Sequence, residues 1–259
     1  MPTVQSNGCP IHYEVEGPAD KPALMLCNSL GTTLHMWDGQ MPALTQHFRV
    51  VRYDRRGHGK SGVPAGPYTM EMLGRDALAV LDAARIEKTN WCGLSMGGMV
   101  GMWMGANAPQ RVIKAILSNT SAYFENKQIW NDRIAVVKEK GLTAIVGGTL
   151  ERWFTKPFRD REPQKVQAIA DMFLATKAEG YIGCGEAVRD MDHRALLPKI
   201  KAPTLVIAGT QDAGTTPEMG EYIKAHVPGA QIKMLEAAHI ANIEQASAYT
   251  DTMLKFLRA

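Results

Sequence analysis

The chain has 259 residues, of which 45% are hydrophobic and 21% charged, a composition typical of a globular protein rather than a disordered or fibrous one. Its net charge is only +3 and its Lys and Arg residues form no runs, which argues against nucleic-acid binding. The modest basic excess could still favour a small anionic substrate. This length suffices for one large α/β domain, alone or with a small insertion.

No segment reaches the roughly eighteen consecutive apolar residues of a membrane span, and the N-terminal residues lack a basic segment followed by an apolar one. We therefore expect a cytoplasmic protein without membrane contact. The cysteines, Cys9, Cys27, Cys92 and Cys184, are scattered and include no Cys-x-x-Cys pair. This spacing predicts buried or incidental thiols, with no disulfide framework, no metal site and no cofactor. The sequence does not determine the oligomeric state, and a homo-oligomer is one possibility.

The first strands precede a loop of chemical interest. Ile11–Val15 alternates apolar and polar residues, as an antiparallel edge strand does, and Ala23–Cys27 is the continuous apolar run of a strand buried on both faces. The loop that follows, Asn-Ser-Leu-Gly-Thr at 28–32, leaves the end of this interior strand. In such a loop the backbone N–H of Leu30 can donate a hydrogen bond to an oxyanion. The alternative interpretation of the loop is an ordinary strand-end turn.

In the next segments, predicted strands alternate with predicted helices. The strand Val50–Asp54 leads into a glycine-rich loop at 55–62, whose spacing does not match a phosphate-binding loop. The three-and-four spacing of apolar residues from Thr69 to Ile86 predicts a helix with Thr69 as N-cap. A further strand, Val112–Leu117, follows the segment at 88–99. This alternation predicts a parallel sheet with helices on both faces.

The stretch from Lys88 to Met99 is the centre of the sequence. A short apolar strand passes into a helical pattern through Gly-Leu-Ser-Met-Gly at 93–97, the pattern of a nucleophile elbow. Glycines two residues before and after Ser95 are needed because side chains there would collide with the neighbouring strand or helix. The turn would expose the Ser95 hydroxyl above the sheet. A chance match of this motif is common enough that its context must support it.

The alternation of strands and helices stops between residues 121 and 190, where helix-like segments at 130–140, 144–154 and 163–178 follow one another without a strand. We interpret residues 121–190 as an inserted helical cap and residues 1–120 with 191–259 as the core domain. The sheet resumes at Thr204–Ala208 and Gln231–Leu235, and a final helix turns its apolar residues inward, namely Tyr249, Met253, Phe256 and Leu257.

A catalytic serine needs a base within hydrogen-bond reach and a carboxylate that orients the base. Asp212 and His239 each come directly after a late strand, at the sheet edge where Ser95 is expected. The order serine, acid, histidine is that of the α/β-hydrolase fold, a mostly parallel, doubly wound sheet, and here it would carry the inserted cap. The N–H groups of Leu30 and Met96 would form the oxyanion hole.

Other residues compete for the two partner roles. The remaining histidines, His12, His35, His47, His58, His193 and His226, either precede the elbow or lack a strand directly before them. Asp190, Asp192 and Glu236 are the rival acids, and the first two lie near the end of the predicted cap. Asp212 and His239 are preferred because of their place after strands.

With these residues assigned, the chain resembles the α/β-hydrolase superfamily and, within it, the bacterial 3-oxoadipate enol-lactonases, also called β-ketoadipate enol-lactone hydrolases. The segments that carry the resemblance are 28–32, Arg52–Gly59, Gly93–Gly98, Trp130–Arg133, Pro203–Asp212 and Ala237–Gln245. The first and last are more particular to this family than the elbow and the glycine loop. Arg55 and Ala246 depart slightly from the family pattern.

The resemblance implies a small anionic lactone as substrate, opened to 3-oxoadipate in aromatic catabolism through an acyl-enzyme on Ser95. The substrate carboxylate then needs a counter-charge, for which Arg133 is the first candidate, with Trp130 one turn earlier as an apolar wall. A general carboxylesterase or a C–C bond hydrolase of ring-cleavage products remains an alternative. A ligand receptor with little turnover is a third reading, against which the intact catalytic set argues.

Overall fold

The computed structural model describes residues 2–259, and within them eight strands form a sheet in the order β1-β2-β4-β3-β5-β6-β7-β8. The strands are β1 (Thr3–Ser6), β2 (Cys9–Glu16), β3 (Ala23–Cys27), β4 (Arg49–Tyr53), β5 (Thr89–Leu94), β6 (Val112–Ser118), β7 (Thr204–Gly209) and β8 (Gln231–Leu235). β1 pairs antiparallel with β2, and β2 antiparallel with β4. The other neighbours are parallel, so the predicted α/β-hydrolase sheet is confirmed.

The edge of the sheet differs from the prediction. The alternating segment at 11–15 lies in β2, but β1 pairs along its outer side and is itself the edge strand. Strand β1 has only four residues, too few for alternation to stand out in the sequence. In the interior of the sheet, β3, β5 and β7 are buried at every residue, because helices cover both faces.

The helices are α1 (Met41–Leu44), α2 (Met70–Ala83), α3 (Met96–Asn107), α4 (Gln128–Lys140), α5 (Thr143–Trp153), α6 (Lys156–Arg161), α7 (Pro163–Leu174), α8 (Ala178–Asp190), α9 (Pro217–His226), α10 (Ala241–Glu244) and α11 (Ala246–Arg258). Thr69 caps α2 as predicted, because its side chain accepts a hydrogen bond from the Met72 N–H. In α11, Tyr249, Met253 and Leu257 are buried, whereas Phe256 is only half-buried.

Helices α4–α8 follow one another between β6 and β7. At the base of this insertion, Tyr123 and Asp192 form an isolated antiparallel bridge. The predicted helix at 163–178 ends earlier than expected, and α6 and α8 were not predicted as separate helices. Thr155 begins α6 by accepting a hydrogen bond from the Phe158 N–H, a local cap that apolar spacing does not reveal. The division into a core and a cap at 121–190 stays a prediction.

None of the helices within residues 2–259 is long and apolar enough to cross a membrane.

The cysteine thiols are all buried and unpaired. Burial raises the pKa of each thiol, to about 12 for Cys92 and Cys184. The thiolate is the reactive form, so native protein should react very slowly with iodoacetamide near pH 8. Mass spectrometry should find all four cysteines alkylated once the protein is unfolded in guanidinium. Rapid labelling of any of them in the native protein would contradict this expectation.

Candidate active site

The Ser95 hydroxyl lies at a sharp turn between β5 and α3. Ser95 has φ 58° and ψ −117°, a conformation that L-residues rarely adopt. A Cβ atom on Gly93 would lie 2.0 Å from the Gly97 carbonyl oxygen, and one on Gly97 would lie 2.1 Å from that of Cys27. Neither position accepts a side chain, because α3 begins directly against the ends of β3 and β5.

The Asp212 carboxylate follows β7 and is surrounded by hydrogen-bond donors. Oδ1 accepts from the backbone N–H groups of Gly214 and Thr215, both at 2.9 Å. Oδ2 accepts from Thr215 Oγ1 at 2.7 Å and from Asn119 Nδ2 at 3.1 Å. Burial opposes ionisation, but the neighbouring His239 and the Thr215 donors outweigh it and lower the pKa of Asp212 below its ordinary value. The carboxylate is therefore ionised at neutral pH.

His239 follows β8 and its Nδ1 lies 2.7 Å from Asp212 Oδ2. An ionised carboxylate only accepts hydrogen bonds, so Nδ1 carries the proton and Nε2 is the basic atom. The Trp153 ring stacks against the imidazole, with ring centroids 6.2 Å apart and an angle of 26° between the planes. No hydrogen bond joins Ser95 to His239 within residues 2–259, but both line the same cavity. Catalytic hydrogen bonds often tighten only when substrate is bound.

The backbone N–H groups of Leu30 and Met96, which both line this cavity, have no acceptor in the described chain. The N–H groups of the neighbouring loop residues Ser29, Gly31 and Thr32 all have acceptors. Met96 is the first residue of α3, so its N–H also lies at the positive end of that helix. An oxygen that gains negative charge near Ser95 could accept both hydrogen bonds.

The cavity has a volume of about 470 Å³, which suits a small molecule. Its apolar wall comes from both the sheet side and the inserted helices, and comprises Leu30, Met99, Phe124, Ile129, Trp130, Trp153, Tyr181, Val188 and Met219. Trp130, a predicted substrate-binding residue, lies in this wall and packs edge-on against Phe124 with ring centroids 5.9 Å apart.

Two arginines, Arg133 and Arg152, line the same cavity. Arg133 Nη2 donates to Thr149 Oγ1 at 2.7 Å, and its Nε donates to the Tyr181 hydroxyl. Within residues 2–259, neither arginine forms an ion pair with a carboxylate. Partial burial and the charge of Arg133 lower the pKa of Arg152 from its ordinary value. This wall therefore carries two cationic side chains that are not held in ion pairs.

Four residues of this site were absent from the sequence prediction: Asn119, Thr215, Arg152 and Trp153. Asn119 directly follows β6, so the reasoning that selected Asp212 and His239 could also have found it. Thr215 lies three residues after Asp212, within reach of a local side-chain hydrogen bond. Arg152 and Trp153 depend on how the inserted helices pack, and no local pattern predicts that.

The rival residues lie elsewhere. Asp190 pairs with Arg189 at 2.7 Å and Asp192 with Arg194 at 2.6 Å, both outside the cavity. Glu236 accepts a hydrogen bond from Thr210. In the part of the chain that the structure describes, no three His, Cys, Asp or Glu side chains are grouped so that they could hold a metal ion.

Comparison with known proteins adds the following relationships. Residues 22–246 match a family model described as alpha/beta hydrolase fold. The chain is 40% identical to 3-oxoadipate enol-lactonase 2 of Acinetobacter baylyi, with 95% of this chain and 92% of that protein covered. It is 37% identical to 3-oxoadipate enol-lactonase 1 of that bacterium, with 97% and 94% covered. The crystal structure of the enol-lactonase from Burkholderia xenovorans LB400 superimposes with a TM-score of 0.98 at 42% identity over 100% of both chains.

The hydrogen bond from Asn119 to Asp212 can be tested by Asn119→Gly. Asn119 has φ 44°, so glycine keeps the backbone conformation and removes only the side chain. We expect kcat on an aryl ester to fall by about 10-fold with little change in KM, because a hydrogen bond to an ionised group is lost.

Asn7→Gly is the matched control, because Asn7 also has a positive φ, 47°, but lies in an exposed turn and does not line the cavity. Steady-state kinetics of both variants, with urea unfolding to measure their stability, give the comparison. Equal kcat values for the two variants would show that Asn119 does not support Asp212.

Proposed function

Because the chain belongs to the α/β-hydrolase fold family and, within it, to the 3-oxoadipate enol-lactonases, we propose that Ser95, His239 and Asp212 together open the enol-lactone ring. The protein is a lactone or ester hydrolase, and its substrate is a small lactone. The observation that carries the assignment is one cavity that holds Ser95, the His239 base and two unpaired N–H groups. The product is 3-oxoadipate.

In the first half-reaction, Ser95 Oγ attacks the lactone carbonyl carbon while His239 Nε2 takes the hydroxyl proton. The carbonyl oxygen becomes an oxyanion that accepts hydrogen bonds from the N–H groups of Leu30 and Met96. Collapse of this intermediate breaks the ring C–O bond. The enol oxygen leaves, takes the proton from His239 and tautomerises to a ketone, so the acyl chain remains esterified to Ser95.

In the second half-reaction, His239 Nε2 takes a proton from water, and the resulting hydroxide attacks the acyl carbon. The same N–H groups stabilise the second oxyanion, and Ser95 leaves with the proton from His239. Asp212 remains ionised throughout and stabilises the imidazolium that forms in each half-reaction. Its lowered pKa suits this role.

The positive wall of the cavity supports an anionic substrate. Arg133 is held by Thr149 and Tyr181, so its guanidinium is oriented before substrate arrives. A guanidinium binds a carboxylate through paired hydrogen bonds, and here no carboxylate of the described chain occupies that position. We assign the substrate carboxylate to Arg133, with Trp130 as the apolar surface beside the ring.

The proposed reaction is tested by incubating the purified protein with 3-oxoadipate enol-lactone, a simple aryl ester and a ring-cleavage dienoate. We expect the lactone to be turned over far faster than the other two compounds, because it alone of the three has both an ester carbonyl and a carboxylate that Arg133 could bind. Ring opening can be measured by ultraviolet absorbance. Ser95→Ala should lose turnover of all three by a factor on the order of 10⁴ or more.

Strong turnover of the aryl ester or the dienoate without turnover of the lactone would instead assign an esterase or a C–C bond hydrolase. If Ser95→Ala and the unmodified chain were equally inactive on all three compounds, the receptor alternative would be favoured.

The role of Arg133 is tested by Arg133→Ala. We expect kcat/KM for the anionic lactone to fall by roughly 10- to 100-fold, the size of one charge-assisted hydrogen-bonded contact, and that for a neutral aryl ester to change little. Lys138→Ala is the control, because Lys138 is an exposed cation on the same helix that does not line the cavity. Equal losses on the two substrates would exclude Arg133 as the carboxylate ligand.

A further inference from the structure

The loop at 28–32 is held by side chains on both sides of Leu30. Arg55 Nη2 donates to the Asn28 carbonyl, and Thr32 Oγ1 donates to the Ser29 carbonyl at 2.8 Å. The Ser29 carbonyl and the Leu30 N–H belong to the same planar peptide unit. Thr32 therefore fixes the direction of the Leu30 N–H from its N-terminal side.

On the other side of Leu30, the Gly31 N–H donates to His58 Nε2 at 2.9 Å, across 27 residues of sequence. A backbone N–H can only donate, so Nε2 must be unprotonated and the proton of the neutral ring is on Nδ1. That atom lies 3.3 Å from the Arg56 carbonyl oxygen, which accepts from it. Burial, together with the charge of Arg55, lowers the pKa of His58 to about 3, so the ring stays neutral at working pH.

His58 itself is 1% exposed and does not line the catalytic cavity. Its loop is tightly packed against the inserted helices, since a Cβ atom on Gly57 would lie 2.6 Å from the Gly180 Cα in α8. Gly31 is equally confined, because a Cβ atom there would lie 2.5 Å from the Phe173 ring in α7. The imidazole therefore lies in a closely packed environment, and it contacts the loop at 28–32 through the Gly31 N–H.

We propose that His58 is a positioning residue for the hydrolytic reaction, which holds the Leu30–Gly31 peptide so that the Leu30 N–H remains directed at the oxyanion. This inference rests on the proposed oxyanion role of Leu30. Thr32 and His58 fix the peptide units before and after Leu30. Among the backbone N–H groups of residues 29–32, that of Leu30 alone has no acceptor in the described chain. A donor stabilises an oxyanion most when it needs no reorientation during the reaction.

The test compares His58→Leu, which removes the acceptor, with His58→Gln, whose side-chain carbonyl can reach the Gly31 N–H. Steady-state kinetics use a neutral aryl ester, and inhibition uses phenylboronic acid. In the boronate complex, Ser95 Oγ bonds to boron while His239 accepts the serine proton, and a boron-bound oxygen occupies the oxyanion position. This complex reports on the hole without depending on the lactone.

We expect His58→Leu to lower kcat and weaken boronate inhibition by roughly 10- to 100-fold, less than the 10²–10³ typical of deleting an oxyanion donor, with KM changed less than about 2-fold. His58→Gln should recover most of both. His193→Leu is the matched control, because His193 is also a buried histidine, 4% exposed, but lies near the Tyr123–Asp192 bridge. It should lower thermal stability without weakening boronate inhibition.

Unchanged boronate inhibition in folded His58→Leu would overturn the proposal, as would an equal loss in His193→Leu. If His58→Leu does not fold, His58→Asn replaces it, since its shorter side chain cannot reach Gly31 and should weaken inhibition relative to His58→Gln. Equal inhibition of these two variants would also overturn the proposal. A parent protein that shows no Ser95-dependent ester hydrolysis and no boronate inhibition would contradict the proposed function itself.

Discussion

The backbone conformation of Ser95 is the constraint on which the site depends. A residue in this region of φ and ψ costs about 1–3 kcal/mol, so the surrounding structure must stabilise it. The Ser95 N–H donates to the Ser118 carbonyl at 2.8 Å, and Thr120 Oγ1 donates to the Ser95 carbonyl at 2.7 Å. Both partners come from β6 or the residues just after it. The same strand end therefore holds the elbow and, through Asn119, the Asp212 carboxylate.

The second requirement is a carboxylate, that of Asp212, which remains ionised although it is buried. Burial alone would favour the neutral acid, but the donors around Asp212 compensate for its lost hydration. They come from three strand ends: Asn119 after β6, Gly214 and Thr215 after β7, and His239 after β8. The parallel order of these strands is therefore part of the chemistry. Antiparallel neighbours would carry their ends to opposite edges of the sheet.

This geometry explains how far the site could be predicted from the sequence. The interior strands read as short apolar runs, and carboxyl ends of parallel strands meet at one edge, so the order of strands alone associates Asp212 and His239 with Ser95. Strand β1 and helices α6 and α8 carry weaker local patterns. Asn119 follows a strand, as Asp212 and His239 do, but an asparagine there usually indicates only a turn, and the sequence does not show its φ of 44° or its contact 93 residues away.

Selectivity has a different physical origin from the reaction itself. In the proposed reaction, the sheet edge supplies a nucleophile, a base and two N–H donors that would act on any ester carbonyl of suitable size. The inserted helices supply an apolar wall and two arginines without acidic partners. Two like charges on one wall repel each other, and Arg152 also loses hydration on partial burial. A carboxylate bound as proposed would offset both costs, whereas a neutral ester would offset neither. Under the proposed function, arginines without an ion-pair partner would favour an anionic lactone, and this preference would need no change in the proposed catalytic residues.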